Sequence, residues 1–589
     1  MAVSDAQLVA EFLQSLEKKL GILRQSYTEN GGFERFAAET AADMNGGRYA
    51  AFISICDINS RASVLRGSGT TPEEAWESAC GAAREFIRKN AVMPAWVKSD
   101  ITIRSEKVPF AMLEELIANC RNEFFRRGIS FDESMDNALI EGEINGSRVI
   151  TYKQHRLELA RVNRHLSSCG LDTLAGFPGE VRLFDCRSFF VEGIECEAAY
   201  PLYGSGNNCG RRITGGFDAD AALDVMETAW QYLEMQVGFD GKFEYGVYPI
   251  DHREIPGYNI LRHASAIWSL LCSYRISGDK FTLNQIIKAV GFLVRNTYRL
   301  FPEREGRENT VFLADKTHGE VKVGGNALAV IVLTEFMSVT GSDKYVKLCR
   351  ELGNGILELF DQSDGSFWHV LEFPGLGHKE KFRTVYYDGE AVFALCRLYG
   401  LLGEQKWLDA AALAADRFIR EGYEKYRDHW VAYAMNELTK YLPEDRYLGF
   451  GLKNANVNLR RIRAQDTTYH TYLELLCVTF EMYSRITEQG LECSYLPKFR
   501  AEELVDTIFY RADYMLNGYC YPEYAMYLKY PSAVVGAFFV RHDGFRIRID
   551  DIQHFCSAYY SFYRNYDRLA AIRKQFVQER EGGENGSGT

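Results

Sequence analysis

The 589-residue sequence predicts an α+β N-terminal domain followed by an all-α domain, in which twelve helices close into an (α/α)6 toroid. Three observations predict the toroid. From Asp218 to Ala571 one helical pattern follows another, twelve in all, and they fall into six pairs. The second member of each pair opens on a polar residue or glycine and continues into an aliphatic run: RHASAIWSLLCSY, GGNALAVIVLTEF, GEAVFALCRLY, WVAYAMNELTKY, YHTYLELLCVTF and QHFCSAYYSFY. Most carry small residues at close spacing near their start (Ala264 and Ala266, Ala327 and Ala329, Ala391 and Ala394, Ala432 and Ala434, Ser557 and Ala558), as helices crowded around an inner ring require. Third, the links repeat: VGFDGKFEY, QSDGSFWHV and LNGYCYPEY each place Asp-Gly or Asn-Gly before an aromatic residue, a tight turn into an extended segment. An open solenoid would need capping repeats, which the sequence does not offer.

The N-terminal 215 residues mix strand and helix patterns. Ala2 to Leu20 is amphipathic. RYAAFISICDI alternates as a strand, and SRASVLRGSG reads as its hairpin partner. TPEEAWESACGAAREFIRKN is a helix with Thr71 as cap and Glu73 and Glu74 in its first turn. WVKSDITIRSEKV returns to strand, FAMLEELIANCRNEFFRRG to helix, and GEINGSRVITY suggests a hairpin turning at Asn145-Gly146. The predicted division is an N-terminal domain over 1–215, a toroid over 216–575 and a disordered tail over 576–589. A fragment beginning near Gly215 is expected to fold alone, because a closed ring buries its own core.

Composition narrows the function. A net charge of −12, spread along the chain, argues against nucleic acid or an anionic membrane surface as a partner. The N-terminus lacks the order of a signal peptide, and no long apolar stretch predicts a membrane span. Fourteen cysteines without a CxxC pair read as reduced thiols of a cytoplasmic protein, so neither a metal nor a cofactor is expected. The glycine-rich YGSGNNCG lacks the GK[ST] ending of a phosphate loop.

In a toroid the segments entering the inner helices converge on one mouth, with the positive ends of the helix dipoles. Five of the eleven histidines lie there: His252, His263, His429, His470 and His554. Histidine titrates near neutral pH and can give or take protons. The same segments hold Asp388, Glu390 and Asp550. Glu390 stands between Gly389 and Ala391, where burial would raise its pKa, and a carboxylate pair across the ring would suit glycoside hydrolysis. Tyr258, Tyr387, Trp430 and Tyr469 offer ring faces for a sugar, and Arg262 and Arg548 offer guanidinium groups for an acidic substituent. The catalytic candidates are therefore Glu390, Asp388, His429, His470, His554 and Asp550. The substrate-binding candidates are Arg262, His263, Tyr258, Tyr387, Trp430, Tyr469 and Arg548. Capping by the aspartates and internal ion pairing by the arginines are the plain structural alternatives.

Six helix pairs, the Asp-Gly-aromatic links and inner helices opening near GGNALA, YYDGEAVFAL and QHFCSA resemble the (α/α)6 carbohydrate-active proteins, a superfamily that includes N-acylglucosamine 2-epimerases, D-glucuronyl C5-epimerases, glycosidases and lyases. The resemblance implies an enzyme acting on a saccharide or other small polar substrate, by glycosidic cleavage or by proton transfer at a sugar carbon. In the epimerases two mouth histidines act as acid and base, and His429 and His554 stand at comparable helix starts. A saccharide- or peptide-binding protein without turnover, or a peptide-modifying enzyme, are the other readings.

Overall fold

The structure, a computed structural model, describes residues 5–29, 31–44, 47–120, 124–146, 149–151, 155–193, 197–299 and 309–586. It divides into two compact units. The first comprises Met1–Gly215 together with Val247–Glu254 and Asn517–Ile547; the second comprises Gly216–Gly246, Ile255–Leu516 and Arg548–Thr589.

The second unit contains the predicted ring. Its inner helices are Ile260–Ser277, Val323–Thr340, Tyr386–Leu402, His429–Leu438, Thr471–Gln489 and Ile549–Gly586, hereafter the first to sixth. Each packs on the next, and the sixth packs on the first, which closes the circle. Outside them run Ala219–Met235, Lys280–Arg295, Val346–Glu358, Gln405–Glu421, Asp445–Asn456 and Ala501–Met515. Most of these outer helices bridge two inner ones. Val346–Glu358, for example, contacts the second and third, and Ala219–Met235 contacts the sixth and the first.

The two layers differ as their sequences do. Gln405–Glu421 buries Trp407, Leu408, Ala411, Ala414, Ala415 and Phe418, one stripe at helical spacing, and leaves the rest wet. The second inner helix is buried on every face from Val323 to Thr334. With a mean hydropathy of 1.5 over 18 residues it is long and apolar enough to cross a membrane, contrary to the expectation from sequence; enclosure within the ring accounts for its composition. The first, second, third and fifth inner helices each stop at a glycine in the left-handed region, Gly278, Gly341, Gly403 and Gly490. The repeat is thus also one of stop signals.

The first unit is α+β. Its seven-stranded sheet contains β1 (Tyr49–Cys56), β2 (Ser63–Gly69), β3 (Trp96–Pro109), β4 (Gly128–Ser130), β5 (Ala138–Leu139), β6 (Glu180–Glu192) and β7 (Tyr200–Leu202). The order is β2-β1-β3-β6-β4-β5, with β7 also on β6. Helices Asp5–Thr28, Gly32–Met44 and Pro72–Asn90 pack on Ala51, Ile53 and Ile55, the alternate residues of β1. Thr71 caps the third of these by accepting the Glu74 amide at 3.1 Å.

Several expectations are corrected. The proposed hairpin at Asn145-Gly146 is instead a helix, Glu141–Gly146; Asn145 spends its side chain on the Phe125 backbone, at 2.8 and 3.0 Å. The helix predicted over 110–128 ends at Ala118. The last inner helix runs on to Gly586, through most of the predicted disordered tail, and 587–589 lie outside the described residues. The main run of the first unit ends at Gly215, and Val247–Glu254 and Asn517–Ile547 also belong to that unit. There Tyr527 bonds Ser54 at 2.8 Å, and buried Glu523 receives Arg212 at 2.6 Å.

Candidate acid–base site at the inner helix starts

His429, His470 and His554 come together from three consecutive inner helices. His429 is the first residue of the fourth, His470 caps the fifth, and His554 lies in the opening turns of the sixth. The ring centroids of His429 and His554 are 5.0 Å apart and nearly perpendicular; those of His470 and His554 are 4.9 Å apart and parallel. Trp430 stands 6.5 Å from His554 and stacks on Trp268 at 5.7 Å. Tyr386 contacts His429 edge-on at 5.5 Å and shares a 2.9 Å hydroxyl contact with Tyr469.

The three imidazoles have different environments. His429 is 1% exposed, and neither ring nitrogen has a hydrogen-bond partner. Asp428 lies 3.5 Å from its Nδ1, but the Asp428 oxygen accepts the Trp430 amide at 2.9 Å as a helix cap. Burial, then the neighbouring His554 and His470, hold the His429 pKa well below its ordinary value, so it is neutral. His470 is likewise pushed down to about 4, chiefly by burial, and its Nδ1 is unpartnered. His554 is the opposite case. Burial opposes its charge, but Glu474, together with Asp550 and Asp551, outweighs burial and raises its pKa. The contact is Nδ1 to Oε1 at 2.7 Å, and the other Glu474 oxygen accepts the Tyr433 hydroxyl at 3.0 Å. Burial also raises Glu474. Two donors on a fully buried carboxylate favour the ion pair, so His554 is the charged member of the cluster.

The remaining predicted residues divide. Asp550 sits between Arg262, at 2.9 Å, and Arg548, which also reaches Asp551 at 3.1 Å. These groups neutralise one another beside the histidines, and Asp551 approaches His470 Nε2 at 3.9 Å. His263 is turned away. Its two nitrogens contact the Tyr258 hydroxyl at 2.7 Å and the Ala289 carbonyl at 2.9 Å, tying the first inner helix to the outer layer; burial lowers its pKa to about 4. Tyr258 and His263 are thereby structural. Asp388 accepts Tyr423 at 2.8 Å and contacts His369 at 3.2 Å, so both its oxygens are committed.

Glu390 lies beside Tyr387 and the second inner helix. It is so close to Gly324 that a methyl group there would meet its Oε2 at 2.0 Å. That oxygen has no partner, and burial, with Asp428 nearby, pushes the carboxyl pKa well above its usual range. No hydrogen bond joins Glu390 to the histidines among the described residues.

Glu474, Tyr433 and Trp268 are the components that sequence reasoning missed. Glu474 is four residues after His470, and Tyr433 four after His429, so helical spacing from the predicted histidines would have found both. His429, Glu474 and His554 also offer three atoms within 4.8 Å that could hold a metal ion. Farther along the inner helices, a cavity of about 360 Å³ is lined by Trp268, Phe393, Tyr433, Arg397, Glu481 and Arg564 among others.

No family model matches the chain, and no curated relative matches it. Solved structures do align with it. A cellobiose 2-epimerase from Bacillus thermoamylovorans matches over 58% of this chain and 98% of its own, at 12% identity and a TM-score of 0.45. A D-mannose isomerase matches over 59% and 97%, at 11% identity and a TM-score of 0.44. An α-1,6-mannanase from a Salegentibacter species matches over 58% and 98%, at 11% identity and a TM-score of 0.28. These are proteins to which the chain is similar, at a distance that assigns it no activity; the ring itself rests on the closed sequence of helix contacts described above.

Proposed function

We propose that the ring is an enzyme that transfers protons at a carbon of a saccharide, as an epimerase or isomerase does. One feature supports this most directly: adjacent histidines whose surroundings drive their pKa values in opposite directions. His429 is buried with both nitrogens free, and His554, 5.0 Å away, is paired with Glu474. Neighbouring titratable groups with pKa values driven apart define an acid and a base. His429 takes the proton from a carbon next to the sugar carbonyl. His554 returns a proton, either to that carbon or to the developing oxyanion, and Glu474 stabilises its imidazolium. Trp430, Tyr469 and Tyr386 border the histidines with apolar ring faces suited to sugar C–H groups.

The test is incubation with a panel of reducing mono- and disaccharides in D2O, followed by NMR. Deuterium is expected at the carbon beside the carbonyl, together with an epimer or isomer, and His429→Asn and His554→Asn are each expected to abolish it. New reducing ends without deuterium would refute proton transfer and favour hydrolysis. That second reading has one specific support, the buried and unpaired Glu390 carboxyl, whose raised pKa suits a general acid. Glu390→Gln separates the two: it is expected to leave deuterium wash-in standing, whereas a hydrolase would lose about 10²–10⁴-fold.

A further inference from the structure

In the first compact unit, three potential ligand atoms of different kinds meet away from the ring. Glu143 comes from the helix Glu141–Gly146, His165 from the helix Leu159–Ser168, and Cys169 caps that second helix. His165 Nε2 lies 3.4 Å from Glu143 Oε1, Cys169 Sγ 3.6 Å from His165 Nε2, and Cys169 Sγ 3.7 Å from Glu143 Oε1. The triangle is nearly equilateral, and its centre is about 2.1 Å from each corner. Tetrahedral zinc, with about 2.0–2.1 Å to nitrogen or oxygen and about 2.3 Å to sulfur, spaces such ligands about 3.3–3.6 Å apart. The observed spacings agree to within about 0.2 Å, the tolerance expected of a built site.

The surroundings are also those of a ligand set. His165 and Cys169 are four residues apart, so one helix face presents both. Glu143 is 3% exposed, and its second oxygen accepts the Ile140 amide at 3.3 Å. Arg66 donates to the first oxygen while its other nitrogens hold the Ala138 and Val64 carbonyls at 2.9 and 2.7 Å. The carboxylate is therefore oriented from behind, as the outer shell of a metal site orients its ligands. A carboxylate, an imidazole and a thiol suit zinc and exclude the all-oxygen preference of calcium or magnesium.

We propose that Glu143, His165 and Cys169 bind one zinc ion, leaving its fourth position to solvent or an exogenous ligand. The ion fastens the helix Leu159–Ser168 to the helix Glu141–Gly146. A chain without a CxxC pair shows no sign of this site in its sequence, because the three ligands combine a single cysteine with residues up to 26 positions away.

The experiment uses the full chain. Protein stripped with a chelator is titrated with Co(II). One ion per chain is expected, with a thiolate-to-cobalt charge-transfer band in the near ultraviolet and the visible bands of a tetrahedral ion; zinc is expected to displace it. Cys169→Ser is expected to remove the charge-transfer band. His554→Asn, which breaks the ring cluster, is expected to keep it. Zinc is also expected to protect Cys169 from alkylation, read by peptide mass spectrometry on the unmutated protein. Absence of binding, a charge-transfer band that survives Cys169→Ser, or alkylation of Cys169 unaffected by zinc would overturn the proposal and leave a metal-free contact between imidazole, carboxylate and thiol.

Discussion

Replacing Gly389 by alanine tests the ring and its site together. Gly389 lies in the third inner helix where it crosses the fourth, and a Cβ there would come within 2.6 Å of the Val431 amide nitrogen and 2.7 Å of the Trp430 carbonyl carbon. Ordinary van der Waals contact begins near 3.4 Å. Both obstacles are backbone, so no rotamer relieves them and the helices must separate by about 0.8 Å. Overpacking of this kind costs about 1–3 kcal/mol, against a gain of about 1 kcal/mol from replacing glycine within a helix. Gly291, in the outer helix Lys280–Arg295, supplies the control: its added methyl group meets only the tip of Arg295, at 3.4 Å. Gly291→Ala is therefore expected to leave stability equal or raise it, while Gly389→Ala lowers it. Thermal unfolding gives the comparison, at roughly 1–2 °C per kcal/mol for a unit of this size. Because His429 and Trp430 sit at the crossing, the same displacement moves the base relative to His554. A misplacement of about 1 Å can cost on the order of 10²-fold in turnover. Equal melting temperatures for the two variants would refute the close crossing, and a destabilised Gly389→Ala with unchanged deuterium wash-in would refute the placement of His429 in the reaction.

Glu474→Gln removes the anion that keeps His554 charged while preserving shape; the alkaline limb of the pH–rate profile is expected to move to lower pH, with turnover at neutral pH down about 10²-fold, and an unmoved limb would sink the role given to this pair. His263 and His470 have folded pKa values near 4 against an ordinary value near 6.5, so the unfolded chain binds protons that the folded one refuses; stability is expected to fall as pH drops from about 6.5 to 4, by up to about 3 kcal/mol for each. His554, whose folded pKa is raised, contributes in the other direction: its share is complete below about 6.5 and lost as pH rises through the folded value, which denaturant titrations of His554→Asn against the parent across that range would detect. A fragment beginning at Gly216 carries Asn517–Ile547 without Ser54 and Arg212, the partners of Tyr527 and Glu523, so it is expected to aggregate; a soluble fragment with cooperative unfolding would contradict that.

The ring was legible because its inner layer writes a strong local signal. Small residues, aliphatic runs and glycine stops recur in the same order, and each is dictated by the helix that carries it. What the sequence did not disclose depends on partners far along the chain. Asn517–Ile547 looks like one more link between paired helices, yet Tyr527 finds Ser54, 473 positions earlier, and Glu523 finds Arg212, 311 positions earlier. Asn145-Gly146 satisfies the local rule for a hairpin turn, but the Asn145 side chain bonds the Phe125 backbone, and Tyr527 leaves no room for a Cβ at Gly146. In both places a distant contact overrode a valid local preference.

For the site, position was legible and chemical state was not. Proximity of His429, His470 and His554 follows from topology, since each begins an inner helix. Which of them carries charge depends on Glu474, a residue with no mark in the sequence beyond its spacing from His470. The same spacing rule explains why Asp388 and His263 misled. Both lie at helix starts, but Asp388 is held by Tyr423 and His369, and His263 by Tyr258 and Ala289, so each is committed outside the cluster. A helix start fixes height along the ring axis; the direction in which a side chain points depends on its phase around the helix. His554, Glu474 and Tyr433 share the inward phase and are bonded in series, and that series sets one imidazole charged beside another left neutral. The acid–base assignment therefore rests on a carboxylate in the first turn of the fifth helix rather than on the conspicuous aspartates at the mouth.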